Sequence, residues 1–222
     1  MTSNGILKDT SNGADDLYHV KCEIIDYYSD PSGLTRTTDV YGTYTTLPLA
    51  KAAARTCLER AGYDPSEFEV YEMKTDPETW KHGDDIRVYA KAPSGVEFHV
   101  RVDVTPNNLA GPLKANAQGE VEGQLYYVLQ TQIDYNADRT GGNQRADIEG
   151  VYVSREEAEK AAYEVLLDES EGVTKETYAE YERVDEFEGD WPYGDEELVH
   201  AVGTDGENFK VEVKMRAKGF NK

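Results

Sequence analysis

The chain has 222 residues, of which 44 are acidic and 23 basic, for a formal net charge of −21. A field of that sign repels nucleic-acid phosphates and anionic lipid heads, so neither nucleic acid nor a membrane surface is an expected partner. It leaves basic-surfaced proteins, cations and small polar ligands open.

No apolar run approaches the length of a membrane span. The opening Met1-Thr-Ser-Asn-Gly5 has neither the basic nor the apolar region of a secretory signal. The two cysteines, Cys22 and Cys57, both lie in the first half and read as reduced thiols, which predicts a cytoplasmic protein.

Residues 1–16 are polar and glycine-containing and are expected to be disordered. Residues 17–28 (LYHVKCEIIDYY) are β-branched and aromatic, which predicts a strand. Asp30-Pro-Ser-Gly33 has the composition of a turn, and residues 35–45 form the partner strand. Thr46 stands where a helix N-cap belongs and Pro48 in the first helical turn. The helix is expected from about Leu47 to Arg60, with Ala50, Ala53, Ala54, Cys57, Leu58 and Ala61 as a stripe facing the sheet. Residues 67–74 alternate apolar and charged, residues 75–85 form a loop around Trp80, and 86–91 with 96–104 make a hairpin. Residues 106–124 are rich in Pro, Gly, Asn and Ala and read as a linker.

The second half repeats the first. Asp39, Gly42 and Tyr44 return as Asp147, Gly150 and Tyr152, at an offset of 108 that also relates Leu17 to Leu125 and Leu58 to Leu166. The offset drifts to 110 at Tyr71 and Tyr181, and to 111 from Trp80 and Trp191 to Val102 and Val213. The drift falls between elements, as expected where loops absorb insertions. Two units follow, residues 17–105 and 125–218, with residues 219–222 as a tail. Each is predicted as ββαβββ, an α+β unit with an antiparallel sheet and one helix across a face, and the two are expected to pack as a pseudo-twofold pair. Gly42 and Gly150 mark a bulge or a close backbone approach. Ser154-Arg-Glu-Glu157 is a capping box.

Three features could carry chemistry. The loop Asp134-Tyr-Asn136-Ala-Asp138 opens like a calcium loop, but Arg139 and Arg145 stand where its glycine and glutamate belong, which favours an ordinary hairpin turn. The run Glu182 to Glu197 gathers Asp185, Glu188 and Asp190 around Trp191 and Tyr193, and could dock a basic partner or remain a solvated loop. The first copy keeps Trp80 with fewer acids around it, which points to a structural role for the tryptophan and a local role for the charge. The 16 tyrosines, Tyr27 and Tyr135 among them, suit either recognition or ordinary sheet packing. Of the histidines, none stands in a catalytic spacing; His19, His82 and His99 are not matched by histidine in the other copy, and His200 aligns with Tyr89. CxxC and HExxH metal motifs and Gly-rich phosphate loops do not occur, so no metal or cofactor is predicted.

The stretches Gly42-Thr-Tyr44-Thr-Thr46 and Gly150-Val-Tyr152-Val-Ser154, each followed by an alanine-rich helix, resemble predicted acidic intracellular proteins of filamentous fungi with no assigned role. The same strand-to-helix turn is similar to that of the ribonuclease H-type hybrid-binding module, whose function the acidic charge here opposes. Neither resemblance supplies a catalytic residue.

The sequence therefore predicts a non-enzymatic binding or interaction protein for a basic-surfaced protein or small polar ligand. Binding residues are sought among Trp80, Trp191, Tyr193, Tyr27, Tyr135, Asp185, Glu188 and Asp190. The alternatives are an enzyme whose carboxylate, Tyr or His site lies between the repeats, and a calcium-dependent module. A homodimer is left open.

Overall fold

The computed structural model describes residues 16–109 and 112–217. In the first half, strands β1 (Asp16–Ile25) and β2 (Arg36–Tyr44) lead into helices α1 (Leu47–Arg55) and α2 (Cys57–Arg60). Strands β3 (Val70–Met73), β4 (Ile86–Lys91) and β5 (Glu97–Pro106) close it. The second half runs β6 (Tyr126–Asp134), β7 (Gln144–Tyr152), α3 (Arg155–Ala162), β8 (Glu180–Arg183), β9 (Glu197–Val202) and β10 (Glu207–Met215). The fold is α+β, with two five-stranded antiparallel sheets ordered β2-β1-β5-β4-β3 and β7-β6-β10-β9-β8. No helix among the described residues is long and apolar enough to cross a membrane.

The alanine stripe does what its spacing predicts. Ala50, Ala54, Cys57 and Leu58 are buried against Val20, Val88, Ala90 and Val100. In the second half Ala158, Ala162 and Leu166 meet Val128, Val199 and Val211. Small side chains let the helix lie close to the strands.

Some boundaries differ from the expectation, for local reasons. The first strand stops at Ile25 because the Asp26 carboxylate accepts a hydrogen bond from Ser29 N at 3.0 Å and turns the chain. The first helix is broken at Thr56, whose hydroxyl donates back to the Ala53 carbonyl at 3.4 Å, a competitor to the helical ladder. Thr46 makes no side-chain cap bond, since Pro48 removes one of the two N–H groups a cap could accept from. Ser154 does cap, accepting from Glu157 N at 3.2 Å. Asp16 belongs to β1, while the rest of the segment expected to be disordered, and the 219–222 tail, lie outside the described residues.

Both bulges are present. Val20 pairs with Gly42 and Lys21 with Val40, which leaves Tyr41 as the extra residue. Val128 pairs with Gly150 and Leu129 with Ile148, which leaves Glu149. The Gly-x-Tyr pattern has a packing cause, because each tyrosine folds over the glycine two residues before it. A Cβ on Gly150 would lie 2.9 Å from the Tyr152 hydroxyl, and one on Gly42 would lie 3.1 Å from that of Tyr44.

The face of each sheet away from its helix meets the other half. Leu17 and Val40 pack there with Leu125, Tyr127, Leu129, Ile148 and Val151. His19 and Tyr127, which are equivalent at the offset of 108, touch edge to face with ring centroids 5.9 Å apart. The hairpin loops also meet: Arg36 donates to the Gly142 carbonyl at 2.7 Å, and Gln144 to the Leu34 carbonyl at 2.9 Å. Residues 112–123 of the connecting segment dock on the edge of β2. Val121 N donates to Thr43 O at 2.7 Å and Thr45 N to Gly119 O at 3.1 Å.

Candidate functional site

The docked connecting segment builds a pocket. Its turn, closed by Gly119 N on Asn116 O at 2.9 Å, carries Glu120 inward to 8 % exposure. Arg60, in the last turn of α2, donates from Nη1 to the Tyr44 hydroxyl at 2.9 Å and from Nη2 to Glu120 Oε2 at 3.2 Å. Arg216, just past β10, donates to Glu120 Oε1 at 2.9 Å. The tail that bears Arg216 is fixed by Ala217 N on Val40 O at 2.8 Å. The three charged groups line a cavity of about 470 Å³ whose apolar wall includes Val20, Ala53 and Cys57. The Tyr44 hydroxyl raises the Arg60 proton affinity, and burial pushes the Cys57 thiol up to about 12, so Cys57 stays protonated. Convergent polar groups over a partly apolar floor are the usual form of a small-ligand site.

A second cleft, of about 840 Å³, lies between β5 and β7. Lys21, 3 % exposed, reaches Asp103 at 2.6 Å and Asp147 at 3.9 Å and donates to the Ala146 carbonyl. Burial raises the Asp103 proton affinity against the opposing pull of Lys21. Asp147 is also held by Arg145 at 2.7 Å, and Asp85 by Arg101 at 2.9 Å. The carboxylate of Glu149, the bulge residue, makes no hydrogen bond or ion pair among the described residues, and partial burial beside Asp147 and Asp103 pushes its proton affinity up.

The residues singled out in the sequence fall into two matched corners and two matched loops. Trp80 donates to the Gly83 carbonyl at 2.7 Å and abuts His82, which stacks on Tyr89 at 3.9 Å and 8°. Trp191 donates to the Glu197 carbonyl at 2.8 Å and abuts Tyr193, which stacks on His200 at 4.0 Å and 7°. At the offset of 111 the stacked pair is exchanged, His on Tyr for Tyr on His. Each outer ring holds an equivalent glutamate: His82 bonds Glu72, and the Tyr193 hydroxyl donates to Glu182 at 2.8 Å. The corners are thus one structural device built twice. Tyr27 and Tyr135 lie over Gly33 and Gly141 in the hairpin loops, where a Cβ would come within 2.8 and 2.9 Å of the ring.

Most of the acidic run is engaged. Asp185 is paired with Arg183, Glu186 with Lys175, Glu196 with Lys214, and Glu197 with His200. Glu188, Asp190 and Asp195 remain exposed, without a hydrogen bond or ion pair among the described residues. Asp134 and Asp138 spend their Oδ1 atoms capping turns, on Asn136 N and Thr140 N, both at 2.9 Å. Groups of three or more His, Cys, Asp or Glu side chains that could hold a metal ion are not found among the described residues.

Sequence reasoning missed Arg60, Glu120 and Arg216. They come from a helix end, a connector and a tail, so no local spacing links them.

No family model, curated protein or solved structure matches the chain.

Proposed function

We propose that the protein is a non-enzymatic binding protein that takes a small polar ligand in the pocket of Arg60, Arg216, Tyr44 and Glu120. The observation that carries this reading is the convergence of two guanidiniums from remote parts of the chain on one cavity. The element order supports a twofold ββαβββ repeat, and the reciprocal contacts of Arg36 and Gln144 support a pseudo-twofold between the halves. In this arrangement the tail of the second half closes a pocket on the first, so the site exists only in the joined pair.

The test is a thermal-shift screen with sugars, nucleotides, amino acids and organic acids, run on the parent and on Arg60→Ala. A ligand at about 100 times its Kd adds about 2.7 kcal/mol, a shift of a few degrees for a chain this size. Compounds that stabilise the parent and not the variant support the pocket. Equal shifts in both proteins end this reading.

A second reading has its own observation. Glu149 stands unpaired in the cleft between the halves with a raised proton affinity, as a general acid would. A hydrolase panel would have to show turnover that Glu149→Gln abolishes while leaving the melting temperature in place. A basic partner at Glu188, Asp190 and Asp195 is the weaker form of the binding reading, since their neighbours already have counter-ions.

A further inference from the structure

We propose that the Arg60–Arg216 pair is a carboxylate site whose tethered occupant is Glu120, and that a small organic carboxylate binds by exchanging with it. This rests on the pocket reading above and adds the ligand's charged group and the residue it displaces.

Four observations carry it. Each Glu120 oxygen is held by a different guanidinium, Oε2 by Arg60 at 3.2 Å and Oε1 by Arg216 at 2.9 Å, so the spacing already fits one carboxylate. The Arg60 guanidinium has a support that does not involve Glu120, and so does the backbone that carries Arg216. The Tyr44 hydroxyl holds Arg60 at 2.9 Å, and the Ala217–Val40 backbone bond holds the Arg216 segment at 2.8 Å. Removal of the glutamate therefore leaves the Arg60 guanidinium anchored and the Arg216 backbone in place. The Arg60 and Arg216 side chains are 52 % and 41 % exposed, so they can be approached from solvent, while Glu120 lies behind them at 11 %. Finally, Glu120 rides at the end of a short turn of the connecting segment, bridged to Tyr44 on the edge of β2 and outside the five-stranded sheets themselves. Among the described residues, the side-chain oxygens of Glu120 accept only from these two arginines.

A tethered carboxylate competes at an effective concentration on the order of millimolar. The gain on its removal is the ratio of that concentration to the intrinsic Kd of one carboxylate for the pair, about tenfold for a Kd of about 0.1 mM. The pair already seats a planar two-oxygen group, Glu120, whereas a guanidinium fork can also meet a phosphate, which makes phosphate the competitor to test.

The experiment is calorimetric titration of malonate and, separately, inorganic phosphate into the parent, Glu120→Gln, and Glu120→Gln with Arg216→Gln. Malonate should bind Glu120→Gln about tenfold tighter than it binds the parent, and the double variant should lose that gain. Malonate affinity unchanged in Glu120→Gln would overturn the exchange. An equal gain for phosphate would overturn the carboxylate assignment. Should Glu120→Gln fail to fold, Glu120→Asp carries the test: one methylene shorter, it cannot span both arginines and should give an intermediate gain, whereas no gain overturns the proposal. If the exchange fails while an uncharged compound still stabilises the parent and not Arg60→Ala, the pocket reading stands without it.

Discussion

The two halves meet through equivalent residues of opposite character. At the offset of 108, the first half presents His19, Lys21, Glu23 and Thr43 to the joint where the second presents Tyr127, Leu129, Thr131 and Val151. One copy is mostly polar and the other mostly apolar, on the same strands and in the same register. Within the first half His19 bonds Thr43 and Thr105, Lys21 pairs with Asp103, and Glu23 pairs with Arg101; the second half adds two further contacts. The Tyr127 hydroxyl lies 2.9 Å from that of Thr43, which bonds His19, and Lys21 reaches the backbone of Ala146. Two first halves would lose the Tyr127 hydroxyl and set two buried Lys21–Asp103 pairs at one joint. The asymmetry thus selects pairing of unlike copies, a hypothesis for the role of buried polar groups that stands beside their cost.

The outer corners show the reverse. There the exchange of His82 and Tyr89 for Tyr193 and His200 leaves the stack unchanged. Paired substitution marks a place where geometry is kept. Uncompensated divergence, as at Arg60, where the offset of 108 gives Asp168, marks a place where the copies have come to do different things.

Breaking the polar side of the joint should have the largest effect. Lys21→Ala leaves Asp103 buried without its counter-ion and should cost about 3–5 kcal/mol in urea unfolding. Lys214→Ala, whose partners Glu196 and Glu212 are more exposed, should cost about 1 kcal/mol or less. Lys21→Leu, which takes the residue found at the equivalent Leu129, combined with Asp103→Val removes both charges and should recover most of the loss. If the double change is as damaging as Lys21→Ala, the comparison between the halves is wrong.

Acid should act next. Burial, and then the charge of Lys21, lower the His19 pKa from 6.5 to about 3. Unfolded His19 takes up a proton near 6.5 that the folded state refuses until about 3. The stability present above 6.5 is therefore lost as the pH falls through that window, by about 1.4 kcal/mol per unit. His19→Gln can still bond Thr43 and should flatten this part of the profile; an unchanged slope between pH 6 and pH 4 would refute the assignment.

The corners offer a smaller and cleaner test. His82→Tyr and Tyr89→His should each destabilise alone, and together they should recover a coupling of about 0.5–1.5 kcal/mol in a double-mutant cycle. Additive losses would mean that the exchange between copies is accidental. Smallest is the difference in helix starts. Ser154→Ala should cost about 1 kcal/mol and Thr46→Ala a few tenths, because only Ser154 accepts a hydrogen bond in its helix's first turn.

The strands, the alanine stripe and the duplication were legible because each is written in local period or in self-similarity. The Gly-x-Tyr pattern was visible in both copies, yet its cause was not, since a ring folded over a glycine is a contact that spacing alone does not reveal. The connecting segment read as a linker from its Pro, Gly and Asn content. Its Val121, which is 3 % exposed, and Glu120 acquire their roles only from the edge of β2. The pocket was illegible for the same reason: Arg60, Glu120 and Arg216 are brought together by tertiary docking. The exchanged rings could have been found, because His82 aligns with Tyr193 at the same offset that aligns Tyr89 with His200.

The tail that ends on Val40 has one more consequence. Each half finishes its last strand and then lays its next residues on the first hairpin of the other: Ala217 N bonds Val40 O at 2.8 Å, and the Asn108 side chain accepts from Val151 N at 3.4 Å. The halves are interlocked at both ends, so the covalent link between them is not what keeps them together. A single protease cut between Asn108 and Pro112 should yield two fragments that co-elute, and fragments expressed from separate messages should reconstitute the molecule by complementation.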